Sequence, residues 1–176
     1  MNTAKTKRYT LSLLVNNHSG VLMRVVGLFS RRGYNIDSLS VGVTENDAVS
    51  RITIVVSGDR GVVQQIKHQV QKLVDVITVY EMKSEASVQS ELVLIKISIN
   101  ENTRTQVVEL AEIFKAKVMD VTSSTITLQL TGSLDKIASF VSLAHPYGIV
   151  EMVRTGVTAL GRGCEPLSAL DEDNED

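Results

Sequence analysis

Between Tyr9 and Phe29 the chain changes its hydrophobic period, and that change restricts the fold more than any other feature. Tyr9, Leu11, Leu13 and Val15 alternate with Thr10 and Ser12, which is the period of a strand with one buried face. From Val21 onward the apolar residues Val21, Leu22, Val25, Val26, Leu28 and Phe29 recur at helical spacing. The switch occurs across Asn16-Asn17-His18-Ser19-Gly20, a polar turn that leaves a strand and enters an apolar helix. Ser19 is the expected N-cap, and Gly33 after Arg31-Arg32 is the expected C-terminal stop. The two arginines sit favourably at the negative end of the helix dipole.

The rest of the first half continues in the same grammar. Asn35 to Thr44 reads as a strand, Glu45-Asn46-Asp47 as a turn, and Ser50 to Ser57 as a returning strand with Ile52, Ile54 and Val56 inward. Asp59 is a plausible cap for a second helix whose stripe is Val62, Val63, Ile66, Val70 and Leu73, opposite Gln64, Lys67, Gln71 and Lys72. Val74 to Glu81 closes the unit as a fourth strand. The order is βαββαβ, a ferredoxin-like α+β unit over residues 8–82. Residues 83–90 are polar and aperiodic and read as a linker.

Residues 91–163 repeat the order in architecture rather than in identity, so the expected fold is two such units in tandem. Leu92 to Ile99 is a strand, Thr103-x-x-Gln106 a capping box, and Val107, Leu110, Ala111 and Phe114 a buried helical stripe. Lys117–Val121 and Thr125–Thr131 pair as strands, Ser133 caps a second helix, and Gly148 to Arg154 is the last strand. This copy has Asn100-Glu101-Asn102-Thr103 in place of the glycine turn, so the same ligand is not assigned to it. Residues 164–176 form an acidic tail that reads as disordered.

Composition narrows the function classes. The 176 residues carry a net charge of −2, which gives no global attraction to nucleic acid or anionic lipid. No apolar run approaches the roughly 20 residues of a membrane span, and Met1–Lys7 is not followed by an apolar export signal. A single Cys164 has no internal disulfide partner and fits a reducing, cytoplasmic setting. Neither a Ser/His/Asp set nor a pair of catalytic carboxylates is legible, and His18, His68 and His145 lack metal-ligand company. The reading therefore contains no catalytic residue and no metal site.

The turn suits binding instead. The first N–H groups of a helix lack intrahelical acceptors and, with the helix dipole, favour a small anion such as a carboxylate. Asn17 and Asn35 bracket the helix with uncharged carboxamides able to donate and accept. Backbone N–H groups at Gly20, Val21 and Leu22 can receive the carboxylate of a free amino acid, and the Asn35 amide oxygen or strand carbonyls can receive its ammonium. Val21, Leu22 and Ile36 offer room for an aliphatic side chain. From spacing alone, Asn17 and Asn35 read more readily as turn and cap residues, Gly20 could merely relieve backbone strain, and Arg24, Arg31 and Arg32 read as solvated helix surface.

Asn-x-x-Gly-Val-Leu-x-Arg-Val-x-Gly-Leu-Phe-Ser-x-Arg-Gly-Tyr-Asn-Ile, as it stands from Asn17 to Ile36, resembles the ACT domain of the regulatory (small) subunit of acetohydroxyacid synthase, also called acetolactate synthase. Ser50-Arg51-Ile52-Thr53-Ile54, Lys72-Leu73-Val74-Asp75-Val76, Ile113-Phe114 with Asp120-Val121-Thr122, and Arg154-Thr155-Gly156-Val157 are similar to that family too. The resemblance covers residues 8–163. It implies that the first unit is an ACT domain and that the chain is a non-catalytic subunit. Its partner would be a catalytic large subunit that holds thiamine diphosphate, Mg2+ and FAD, with no cofactor in this chain. The resemblance further implies activation of that subunit and feedback inhibition by a branched-chain amino acid, usually valine, in valine, leucine and isoleucine biosynthesis. In such families ACT domains pair as homodimers and effectors bind where two meet. By motif position Asn17, Gly20, Val21 and Leu22 would come from one protomer and Asn35 and Ile36 from the other. Two other classes fit the residues less well. An amino-acid-responsive transcriptional regulator would need a basic helix-turn-helix that no segment supplies, and a bare dimerisation module would bind no amino acid.

Overall fold

The computed structural model describes residues 7–167, which divide into two compact units. One comprises the chain up to Val88 together with the segment from Thr158 onward, and the other runs from Gln89 to Val157. Both are α+β units, each built on an antiparallel sheet with two helices.

In the first unit β1 (Lys7–Asn16), α1 (Val21–Arg32), β2 (Ser38–Val43), β3 (Val49–Gly58), α2 (Arg60–Gln71) and β4 (Val76–Glu81) follow in the expected order. The sheet runs β2-β3-β1-β4, so β2 is an edge strand. Leu11, Leu13 and Val15 of β1 lie opposite Ile54, Ile52 and Ser50 of β3, and this register turns one face of the sheet toward the helices. Val21, Val25, Leu28 and Phe29 of α1 and Val63, Ile66 and Val70 of α2 bury against it. Each such side chain contributes about 1.5–3 kcal/mol before conformational entropy is subtracted. Leu22, counted in the apolar stripe by spacing, lies one position off the buried face and is 39% exposed. Lys67, on the helix face read as polar, is buried, its aliphatic stem covering apolar surface.

Two local expectations need correction. Gly20, not Ser19, occupies the N-cap of α1, at φ 88°, and no side chain caps that helix. Gly33 does close it, at φ 69°, with its N–H on the Phe29 and Ser30 carbonyls. The strand expected from Asn35 begins only at Ser38, because Asp37 draws the preceding residues into a side-chain network. In α2 the expectation holds, with Asp59 accepting from the Val62 N–H.

The second unit contains β5 (Ser87–Ser98), α3 (Arg104–Phe114), β6 (Lys117–Val121), β7 (Thr125–Gly132), α4 (Leu134–Ala144) and β8 (Ile149–Arg154). Its strands run β6-β7-β5-β8 over a core of Val93, Ile95, Ile97, Val107, Leu110, Ile126, Leu128, Leu130, Ile137 and Phe140. Phe114 meets Phe140 edge to face. Buried Glu91 of β5 receives Arg154 of β8 in a fork, Nε to Oε1 at 2.9 Å and Nη2 to Oε2 at 2.5 Å. Ser133 caps α4 through the Lys136 N–H, as its spacing suggests. The Thr103 capping box does not form, because the Thr103 hydroxyl accepts from the Asn100 N–H.

The expected linker at residues 83–90 is ordered: Ser84–Ala86 make one 3-10 turn and Ser87 already belongs to β5. By its contacts the segment 158–167, with β9 at Thr158–Gly161, groups with the first unit. There Ala159 and Leu167 cover Leu14 and Met82, apolar residues on the sheet face turned away from the helices. Arg51 donates to the Ala159 carbonyl at 3.2 Å. Leu167 is thus buried inside what read as tail, Cys164 is exposed, and residues 168–176 of that tail lie outside the described residues. Among the described residues no helix is long and apolar enough to cross a membrane.

Candidate functional site

The turn between β1 and α1 is held from three directions. The Asn17 N–H donates to the Ala48 carbonyl and its Nδ2 to the Asp47 carbonyl, both at 2.8 Å, which pins the turn to the β2–β3 hairpin. The Asn16 N–H donates to the Asp75 carbonyl at 2.9 Å. The Asp75 carboxylate, only 8% exposed, meets His18 Nε2 at 2.9 Å through Oδ1 and Arg24 Nε at 2.8 Å through Oδ2. The Arg24 contact is one of charge, its angle falling short of a hydrogen bond.

Held this way, the turn presents unfilled donors. Among the described residues no acceptor within the chain reaches the N–H groups of Gly20, Leu22 and Met23, and Val21 has only a long contact of 3.4 Å to the His18 carbonyl. Two of the three proposed carboxylate donors are therefore open, and the third is weakly engaged. A Cβ built on Gly20 would meet nothing within 4 Å, so no side chain covers the turn at that position. The second unit makes the contrast. There Asn100 Oδ1 accepts from the N–H groups of Asn102 and Thr103, so the N-cap amide of α3 is engaged where that of Gly20 is open, while the Thr105 and Gln106 amides, like those of Leu22 and Met23, meet no acceptor among the described residues.

Asn35 and Ile36 sit at the other end of α1. A helix of 12 residues is about 18 Å long, so they cannot share one small ligand with Gly20 of the same protomer. Asn35 Nδ2 donates to Asp37 Oδ1 at 2.7 Å, and the Ser57 hydroxyl donates to Asp37 Oδ2. This uses one of the two Nδ2 donors of Asn35 and leaves its amide oxygen and second N–H to other partners. Asn35 also lines a cavity of about 790 Å³ together with Arg32, Tyr34, Ser57 and Val62. Ile36 packs at the edge of the first core while staying partly exposed.

Sequence reasoning missed Asp75 and, through it, the roles of His18 and Arg24, which read as solvated. A signal was present: an isolated acid between Val74 and Val76 at the start of a strand is an unusual place for a carboxylate unless something pairs with it. Asp37 was missed as well. No group of three or more metal-ligating side chains occurs among the described residues.

Comparison with known proteins adds an independent line. Residues 11–78 match the family described as an AHAS small subunit-like ACT domain, and residues 90–163 match the one described as the small subunit of acetolactate synthase. A protein of Archaeoglobus fulgidus named as a probable acetolactate synthase small subunit is 47% identical over 89% of this chain and 98% of its own. The acetolactate synthase small subunit of Mycolicibacterium smegmatis is 43% identical over 93% of this chain and 96% of its own. Among solved structures, the acetolactate synthase small subunit of Thermotoga maritima superposes with a TM-score of 0.81 at 35% identity, covering 90% of this chain and 99% of that one.

Proposed function

Because the chain belongs to the acetolactate synthase small-subunit family, we propose that it is the regulatory partner of a catalytic acetolactate synthase subunit and senses a branched-chain amino acid, valine foremost. In this reading it contributes no catalytic residue. Thiamine diphosphate, Mg2+ and FAD reside in the catalytic subunit, which this chain activates and, with effector bound, inhibits.

The observation that carries the reading is the relation of β2 to the turn. β2 starts beside Asn35 and ends at the hairpin that Asn17 grips through Asp47 and Ala48. It is an edge strand of six residues, roughly 20 Å long and close to the length of α1. An exposed edge invites a second strand. Antiparallel pairing of β2 with its counterpart in a second copy sets the start of one β2 beside the end of the other. That pairing carries Asn35 and Ile36 of one protomer to the Asn17–Leu22 turn of its partner. The open amides at Gly20 and Leu22 then face the carboxylate, the Asn35 oxygen faces the ammonium, and Leu22 and Ile36 face the side chain. None of these contacts uses a full protein charge, so a dissociation constant between micromolar and millimolar is expected, roughly −4 to −8 kcal/mol.

The test is an assay of acetolactate formation by the catalytic subunit alone, with this chain added, and with valine as a third component. The expected result is a rise in rate on adding the chain and a fall on adding valine. Indifference of the catalytic subunit to the chain, or turnover of pyruvate by the chain alone, overturns the proposal.

A further inference from the structure

We infer that Asp75 is a positioning and specificity-determining residue of the effector site: it locks the turn across the Gly20 hinge and keeps the Arg24 charge away from the ligand. The inference rests on the reading that the first-turn amides receive the effector carboxylate.

Gly20 sits in the left-handed region and a Cβ built there would meet nothing within 4 Å, so no side chain packs against the junction between turn and helix. His18 lies on one side of that junction and Arg24 on the other, and the Asp75 carboxylate touches both. The Asp75 carbonyl anchors Asn16 at the end of β1, so one residue of the α2–β4 connection ties strand, turn and helix. Near-complete burial of the carboxylate keeps water from competing for these contacts. The amide array at Gly20 and Leu22 is thereby prepared before a ligand arrives.

The second role follows from charge. A cation in the first turn of a helix adds to the positive end of the dipole. Left alone, Arg24 would draw any monoanion, with or without an ammonium group. Paired with Asp75, Arg24 contributes little net field, and the site presents neutral donors plus the Asn35 oxygen, a set matched to a zwitterion of no net charge. Discrimination between an amino acid and the 2-oxo acid of the same side chain thus depends on a residue that touches neither.

Calorimetric titration of the full chain with valine, and separately with 3-methyl-2-oxobutanoate, tests this. The native chain binds valine and prefers it strongly to the oxo acid. Asp75→Asn weakens valine about tenfold, as expected if the competent turn is populated roughly one time in ten, and it strengthens the oxo acid, so the preference collapses. Asp75→Glu restores the preference, and Asp75→Asn combined with Arg24→Gln abolishes the gained oxo-acid binding. Arg24→Gln alone, the fallback if Asp75→Asn does not fold by thermal melting, weakens valine without strengthening the oxo acid. Unchanged valine binding in Asp75→Asn or Arg24→Gln, or a loss of both ligands in proportion, overturns the inference. Failure of the native chain to bind valine strikes the effector reading itself, a different outcome from a native chain that binds and an Asp75 variant that binds equally well.

Discussion

Replacing Gly20 by Asp separates ligand binding from folding. The position has φ 88°, and a side chain there costs about 1–2 kcal/mol, less for Asp, which tolerates the left-handed region. No neighbour lies within 4 Å of the added Cβ, so steric strain adds nothing. At the N-cap an Asp in place of Gly returns only about a few tenths of a kcal/mol. The net cost is about 1 kcal/mol, so the variant should stay folded with its melting temperature lowered by roughly 4–8 °C. Binding responds differently. A carboxylate placed about 5 Å from the effector carboxylate opposes it by about 3 kcal/mol at an effective dielectric constant near 20, and by about 1 kcal/mol in bulk water. Affinity for valine should fall roughly five- to 150-fold. Gly20→Asn has the same shape and backbone tolerance without the charge and should keep most of the affinity. Calorimetry on the two variants therefore isolates the electrostatic effect. The reasoning is refuted if Asp and Asn weaken valine equally, or if the Asp variant binds as the native chain does.

Three further perturbations probe separate links. Asn35→Ala should weaken valine by about 1–3 kcal/mol by removing the oxygen proposed for the ammonium, and calorimetry reads this directly; no loss would assign Asn35 to the Asp37 network alone. Val43→Lys places a charge on the exposed edge strand β2, where Val43 is 64% exposed, and should shift sedimentation from dimer toward monomer without lowering the melting temperature. Arg154→Ala leaves Glu91 buried without its fork and should destabilise the second unit by about 3 kcal/mol in urea unfolding, with the first unit little affected.

The identity and order of the elements were legible in the residues because side-chain period is a local property. Leu11, Leu13 and Val15 of β1 and Val25, Leu28 and Phe29 of α1 bury as their spacing requires. The Asp59 and Ser133 caps and the Gly33 stop could be read for the same reason, since each depends on neighbours within a few positions. Gly20 was legible as a site residue but not as the cap itself, because Ser19 satisfies the same local rule and only the backbone path chose between them.

Contacts between distant segments were a different matter. No period links Asp75 to His18 and Arg24; they meet because β4 lies beside β1 in the sheet and brings the α2–β4 connection to the mouth of the turn. Nor does local pattern show that residues 158–167 leave the second unit to cover Leu14 and Met82, a return marked by a hydrogen bond spanning 108 residues. Periodicity and turn chemistry therefore sufficed for two βαββαβ units and an amide-bearing corner. Which charges hold that corner, and which end of the chain covers the sheet behind it, follow from burial and Coulomb attraction between groups that only the folded chain brings within 3 Å.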